Sequence, residues 1–223
     1  MSLRVKSQSD FVSRSILILS KQKNIAALIM AAGSSSRMGT PKQLLPFKNT
    51  TLIENVMSNV LQLRPFKSIV VLGAISEKIT PKIETYPVEI IHNLNWGKGL
   101  GNSIAFGVNY IKNNYQTDGV LIVLADQPLI HGSYLKRIIA AFEPNRQQII
   151  ATKYPSGKLG VPVLFDKCYL EELSTIDGDK GAKLILEKYK NSVITTQINI
   201  NVFDVDTEED YKKLKSLRGI RHQ

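Results

Sequence analysis

The stretch Ile25-Ala-Ala-Leu-Ile-Met-Ala31 runs without a break into Ala32-Gly33-Ser34-Ser35-Ser36-Arg37-Met38-Gly39-Thr40-Pro41-Lys42-Gln43. The first half is a continuous apolar run, as expected of a strand covered on both faces rather than one with a wet side. Similar runs recur at Ser68–Ala74, Val88–Ile91, Gly119–Ala125, Gln148–Thr152, Val161–Phe165 and Ile198–Val205. Helical patterns lie between them. Leu52, Ile53, Val56, Met57, Val60 and Leu61 form one apolar stripe. Ser133 is placed to cap a helix carrying Leu135, Ile138, Ile139 and Phe142, and Ile104–Ile111 reads as another. Thr207 and Asp210 form a capping-box pattern at the start of a last helix whose first turn is acidic and whose later turns carry Lys212, Lys213 and Lys215. Strands alternating with helices predict a single α/β domain, a Rossmann-like three-layer sandwich around a mostly parallel mixed sheet.

Composition agrees. The chain has 223 residues, 43% hydrophobic and 22% charged, which is ordinary globular usage and excludes a disordered or collagen-like chain. No apolar run reaches the roughly 20 residues a bilayer needs, so no membrane partner is expected. One cysteine, Cys168, cannot form an internal disulfide, which suits a reducing, cytoplasmic setting. Residues 1–23 read as an N-terminal extension, whose short apolar patch Ile16 to Leu19 is too brief for the core of a secretory signal. The domain spans 24–217, with a basic tail over 218–223. The net charge of +10 favours an anionic partner. The basic residues are scattered, with the densest run between Lys212 and Arg221, so a solvated helix end is a better reading there than a nucleic-acid site. His92, His131 and His222 have no zinc-ligand spacing.

In an open α/β sheet, ligands bind outside the carboxyl ends of the strands, and three strand ends carry unusual chemistry. The loop after Ala31 brings small residues, whose exposed amides make an anion cradle, together with two cations, Arg37 and Lys42. Neither G-x4-G-K-[ST] nor G-x-G-x-x-G is present, which removes the main support for a Walker ATPase or a dinucleotide dehydrogenase. Gly119–Ala125 ends in Asp126-Gln127-Pro128, a carboxylate suited to anchoring Mg2+, which takes few protein ligands; the same residues could equally start a turn. Asp204 and Asp206, two apart on an expected strand, would share a face.

The run A-A-G-S-S-S-R-M-G-T-P-K-Q-L-L-P, Ala31 to Pro46, resembles the signature loop of nucleotidyltransferases of the sugar-nucleotide-pyrophosphorylase superfamily, and within it the molybdenum cofactor cytidylyltransferases (MobA-like NTP transferases). The resemblance covers roughly Asn24 to Leu217. Related guanylyltransferases carry a second Gly where this chain has Ala32 and usually an acidic residue at Pro41, so the resemblance implies CTP more than GTP. It implies that Ala31, Ala32 and Gly33 lie along the nucleoside, that Arg37 and Lys42 hold the triphosphate, and that Asp126 with Asp204 or Asp206 binds Mg2+. Asp204 is the first choice, because Asp206 could instead cap the following helix. It further implies that Gly99 and Ser103, in the second Gly-rich turn Asn95–Ser103, contact the base. On the acceptor side, Asp179 and Lys183 fall in Gly178-Asp-Lys-Gly-Ala-Lys183, with lysine where arginine is usual; an ammonium lacks the planar two-pronged grip of a guanidinium. Gly160-Val-Pro162 likewise lacks the family's histidine.

The expected reaction joins CMP from CTP to the terminal phosphate of molybdopterin, the molybdenum cofactor, with release of pyrophosphate; molybdoenzymes that accept the product are possible partners. The alternatives are GTP with the same acceptor, CTP with a sugar or polyol phosphate, and a non-catalytic nucleotide- or nucleic-acid-binding module.

Overall fold

In the computed structural model, which describes residues 23–36, 38–198 and 203–219, strand β1 (Ile25–Ala31) is buried along its whole length. Its alternate side chains go to opposite layers. Ile25, Ala27 and Ile29 pack with one helical face, while Ala26, Leu28 and Met30 pack with the other. This is the period-2 geometry of a strand with cover on both sides, and fully burying each Leu or Ile contributes about 1.5–3 kcal/mol.

The chain continues through a short hairpin, β2 (Pro46–Phe47) and β3 (Thr50–Thr51), into α1 (Leu52–Leu61). Next come β4 (Lys67–Leu72), α2 (Ser76–Ile83), β5 (Glu89–His92), α3 (Leu100–Asn114), β6 (Gly119–Leu124) and α4 (Gly132–Ala141). The last part holds β7 (Ile149–Lys153), β8 (Leu159–Asp166), α5 (Leu170–Leu173), α6 (Lys183–Lys188), β9 (Val193–Gln197) and α7 (Glu208–Gly219). Seven strands form one sheet in the order β5-β4-β1-β6-β8-β7-β9. β1 is parallel to β4 and β6, and β8 alone runs antiparallel to its neighbours β6 and β7. Helices α1, α2 and α4 cover one face, and α3, α5 and α6 the other. The α/β sandwich with a mostly parallel mixed sheet is therefore as expected.

Helix α1 begins at Thr51, whose hydroxyl accepts from Glu54 N–H while the Glu54 carboxylate accepts from Thr51 N–H, a complete capping box. Of its stripe, Leu61 is only half-buried, and Leu52 turns into a separate cluster with Met38, Phe47, Val205 and Leu214. Ser133 does not cap α4. The helix starts one residue earlier and Ser133 is exposed; the Gly132 N–H donates instead to Asn59 Oδ1 of α1 at 3.2 Å. A tertiary partner has taken the place of a local cap. The expected capping box at α7 is present, with Asp210 N–H to Thr207 Oγ1 at 3.1 Å and Thr207 N–H to Asp210 Oδ2 at 2.9 Å.

The strand expected over 198–205 is not found as such. Residues 199–202 lie outside the described residues, 203–206 have no regular structure, and the observed strand is β9, five residues earlier. Residues 1–22 and 220–223, hence most of the expected extension and tail, also lie outside the described residues. No helix among the described residues is long and apolar enough to cross a membrane.

Candidate active site

At the carboxyl ends of β1 and β6 a crevice of about 620 Å3 opens, within the usual size of small-molecule sites. Its lining includes Ala31, Ala32, Gly33, Lys42, Gly99, Ser103, Asp126, Asp179, Asp204 and Asp206. Nearly all the site residues expected from the sequence thus share one cavity, though they come from five separate segments.

The floor is the loop after β1. It is shaped by Gln43, which the sequence reading passed over. This buried side chain donates from Nε2 to the Gly33 carbonyl at 3.0 Å and the Ala31 carbonyl at 3.4 Å, and its Oε1 accepts from Ser35 Oγ at 3.0 Å. Ser35 Oγ in turn accepts the Lys42 N–H at 3.0 Å, with Ser35 itself held at φ +56°. One amide therefore turns the loop's carbonyls inward. Gly33 is not in the left-handed region; a Cβ there would meet nothing within 4 Å, so its bareness leaves open space over the backbone. Gly39, at φ +65°, does need its freedom. Arg37 lies outside the described residues.

Across the floor stands an acidic wall. Asp126 lies in the turn after β6, with Ala125 between it and the strand's end, and Asn55 of α1 supports that turn by donating to the Pro128 carbonyl at 3.1 Å. Val205 N–H donates to the Asp126 carbonyl at 3.0 Å, which draws residues 203–206 alongside. Asp204 and Asp206 thus reach one cavity through a backbone bond rather than through strand pleating. Lys42 Nζ sits between two carboxylates, 2.6 Å from Asp126 Oδ2 and 2.6 Å from Asp206 Oδ1. Asp206 does not act as the cap of α7, since Thr207 and Asp210 supply it. Asp204 Oδ1 accepts from Gln127 Nε2 at 2.8 Å, and the same nitrogen donates to the Tyr154 hydroxyl at 3.0 Å; Tyr154 donates onward to the Val161 carbonyl.

Burial pushes the Asp126 carboxyl above the usual carboxylate range, and Asp204 and Asp206 add to the rise against the opposing pull of Lys42. Burial lowers Lys42, but the two carboxylates outweigh it and hold its pKa above the ordinary lysine value. Asp126 Oδ1 is buried and has no hydrogen-bond partner among the described residues. A buried, unpartnered carboxylate oxygen beside two more carboxylates fits a hard divalent cation. Among the described residues no group of three or more Asp, Glu, His or Cys side chains closes on one point. Mg2+ does not require such a group, because one or two carboxylates suffice when water and phosphate complete its shell.

The third wall joins the turn before α3 to residues 177–179. Gly99 stands at φ +103°, and a Cβ there would lie 2.4 Å from Asp179 Oδ1; Gly101 N–H donates to the Gly178 carbonyl at 2.7 Å. Trp96 lines the crevice and packs on Gly73, where a Cβ would lie 2.6 Å from Trp96 Cβ. Lys183 does not join this lining. It borders a separate cavity of about 540 Å3 with Lys158, Leu159 and Lys190, and pairs with Glu187 at 3.5 Å. Cys168 is exposed as a residue, but partial desolvation of its thiol, and then Asp166, push its pKa up to about 11, away from the range of a reactive thiolate.

The small-residue loop after β1, a lysine shared between two carboxylates and a glycine-lined wall meet at the switch point of a doubly wound sheet, the place where enzymes of this α/β class bind their ligands. The chain belongs to the family described as the MobA-like NTP transferase domain, whose pattern matches residues 27–193. It is 28% identical over 202 residues to the nicotine blue oxidoreductase of Paenarthrobacter nicotinovorans, covering 85% of this chain and 96% of that one. It is 25% identical over 191 residues to the molybdenum cofactor cytidylyltransferase of Escherichia coli K12, covering 84% and 93%. Among solved structures, Rv0371c of Mycobacterium tuberculosis H37Rv in complex with manganese superposes with a TM-score of 0.72 at 25% identity, over 86% of this chain and 97% of that one.

Proposed function

We propose that this protein is a cytoplasmic, Mg2+-dependent cytidylyltransferase that moves CMP from CTP to the terminal phosphate of a molybdopterin-type cofactor and releases pyrophosphate. The observation that carries this reading is Asp126, whose Oδ1 has no hydrogen-bond partner among the described residues and whose Oδ2 meets Lys42, lining one crevice with Ala32 and Gly33. Bound by Asp126 with Asp204 or Asp206, Mg2+ would supply charge neutralisation at the α-phosphate.

The chain's own residues do the rest. The loop after β1 receives the triphosphate on exposed amides. An ammonium carries three hydrogens. Two of those on Lys42 go to Asp126 and Asp206, which leaves the third for a phosphate oxygen. Arg37 adds the second cation. Gly99 and Ser103 take the base, and Asp179, which lines the same crevice as they do, takes the acceptor, whereas Lys183 lies outside that lining. Because the acceptor phosphate is already an anion, no general base is needed, and catalysis is positioning together with charge stabilisation. Molybdoenzymes would receive the product. The manganese complex of Rv0371c supports a divalent cation in this fold, and the Escherichia coli relative supports the nucleotide and acceptor.

The test is pyrophosphate release with each of the four nucleoside triphosphates, with and without molybdopterin cofactor and Mg2+. Release only when CTP, cofactor and Mg2+ are all present is expected; turnover with GTP in its place would overturn the cytidylyl assignment. Because one relative is named an oxidoreductase, a parallel arm follows nicotinamide nucleotide oxidation, and turnover there without pyrophosphate release would replace the transferase reading altogether.

A further inference from the structure

Ser103 lies in the first turns of α3 and lines the crevice, yet it is only 2% exposed, and Asn93 beside it is equally buried. The Asn93 side chain is pinned in one orientation. Its Oδ1 accepts the Asn95 N–H at 2.9 Å, and an N–H can be received only by the oxygen end of the amide. The nitrogen end therefore faces α3 and spends its two hydrogens on Asn102 Oδ1 at 3.2 Å and Ser103 Oγ at 3.0 Å. Ser103 is thus obliged to accept from Asn93. A helical serine often spends its hydrogen on the carbonyl four residues back, but Gly99 O receives only the Ser103 main-chain N–H, at 3.3 Å. The hydroxyl hydrogen has no acceptor among the described residues.

We propose that Asn93 is a positioning residue that commits the Ser103 hydroxyl to act as a hydrogen-bond donor toward an acceptor atom on the nucleobase edge, which for CTP is the ring carbonyl or the adjacent ring nitrogen. This rests on the nucleotide reading given above and deepens it. A hydroxyl free to rotate would serve a donor or an acceptor equally; one whose lone pair is engaged by a buried amide prefers a base that presents an acceptor there.

Asn93→Asp isolates this role. A carboxylate still accepts the Asn95 N–H, and the main-chain bond from Asn93 N–H to the Leu72 carbonyl at 2.8 Å is untouched, so the turn is kept. A carboxylate cannot donate, however, so at pH 8 the Ser103 hydrogen turns toward it and away from the ligand. CTP binding by calorimetry in Mg2+ buffer, with melting temperature as the fold control, should weaken at least tenfold in N93D. It should weaken about 3- to 10-fold in S103A, the range for one neutral hydrogen bond. N93D/S103A should bind no worse than S103A alone, because Asn93 acts through Ser103. Wild-type affinity in N93D, or additive losses in the double variant, would overturn the proposal. If N93D does not fold, the same non-additivity in N93A and N93A/S103A decides. Should the wild-type protein bind no nucleotide, the transferase reading falls first and this one with it; should it bind CTP with N93D unaffected, only this one falls.

Discussion

Removing the Lys42 ammonium should expose the carboxylates it now separates, and Lys42→Met does so while keeping most of the stem. Two 2.6 Å contacts place Asp126 Oδ2 and Asp206 Oδ1 at most about 5 Å apart. At an effective dielectric constant of about 20, two negative charges at that distance repel by about 3 kcal/mol. Losing one partner of a buried pair costs about 3–5 kcal/mol; the Asp206 side chain is 39% exposed, so solvent screening takes the expectation to the lower end. About 3 kcal/mol corresponds to a fall of about 6–12 °C in melting temperature for a domain of this size. The deficit should depend on pH in one direction. Burial already holds the Asp126 carboxyl above its ordinary value, so the ionised form is the one the fold disfavours, and its cost is felt as pH rises through the folded-state pKa. The raised pKa of Lys42 keeps the wild-type ammonium charged across the whole acidic and neutral range, so only the carboxylates respond there. Calorimetric melting at pH 7.5 and at pH 4.5 should therefore show a large deficit for Lys42→Met at the first and a much smaller one at the second. Equal deficits at both would mean that Lys42 contributes packing rather than charge, and the electrostatic account of the acidic wall would fail.

Two further outcomes rest on neighbouring contacts. Gln43→Leu leaves the Gly33 and Ala31 carbonyls without their donor and should cost about 1–3 kcal/mol of stability. It should also weaken triphosphate binding about tenfold by calorimetry, and lowered stability with unchanged affinity would confine Gln43 to folding. Thr51→Ala breaks the capping box of α1, away from the crevice, and should cost about 1 kcal/mol in urea unfolding with CTP affinity unchanged; altered affinity would mean that α1 shapes the site more directly than its contacts indicate.

What could be read from the chain alone follows from the range of the interactions involved. β1 was legible because seven consecutive buried residues leave no other interpretation, and α1 because its cap and stripe are local. The start of α4 was misplaced because its cap comes from Asn59, more than seventy residues away. Asp204 and Asp206 were singled out, yet they reach the crevice through the Val205–Asp126 backbone bond, which no periodicity in the segment announces. Gln43, Asn93 and Gln127 were passed over for a common reason. They are neutral amides whose importance lies in which carbonyl, hydroxyl or carboxylate they meet, and the partners of Gln127, Tyr154 and Asp204, lie 27 and 77 residues away along the chain, brought to it only by folding. The one available hint was Gln43 itself, a long polar side chain closing an otherwise small-residue loop.

The contact of Gly99 and Gly101 with Gly178 and Asp179 joins two segments almost eighty residues apart, main chain against main chain at Gly101 and Gly178. Such a seam has no slack: the strip of wall beside the base and the strip carrying Asp179 can shift only together, as one plate. Remodelling the crevice for a different nucleotide by editing the Asn95–Ser103 turn alone would therefore drag Asp179 out of place, and a successful redesign would have to recut both edges of the seam at once.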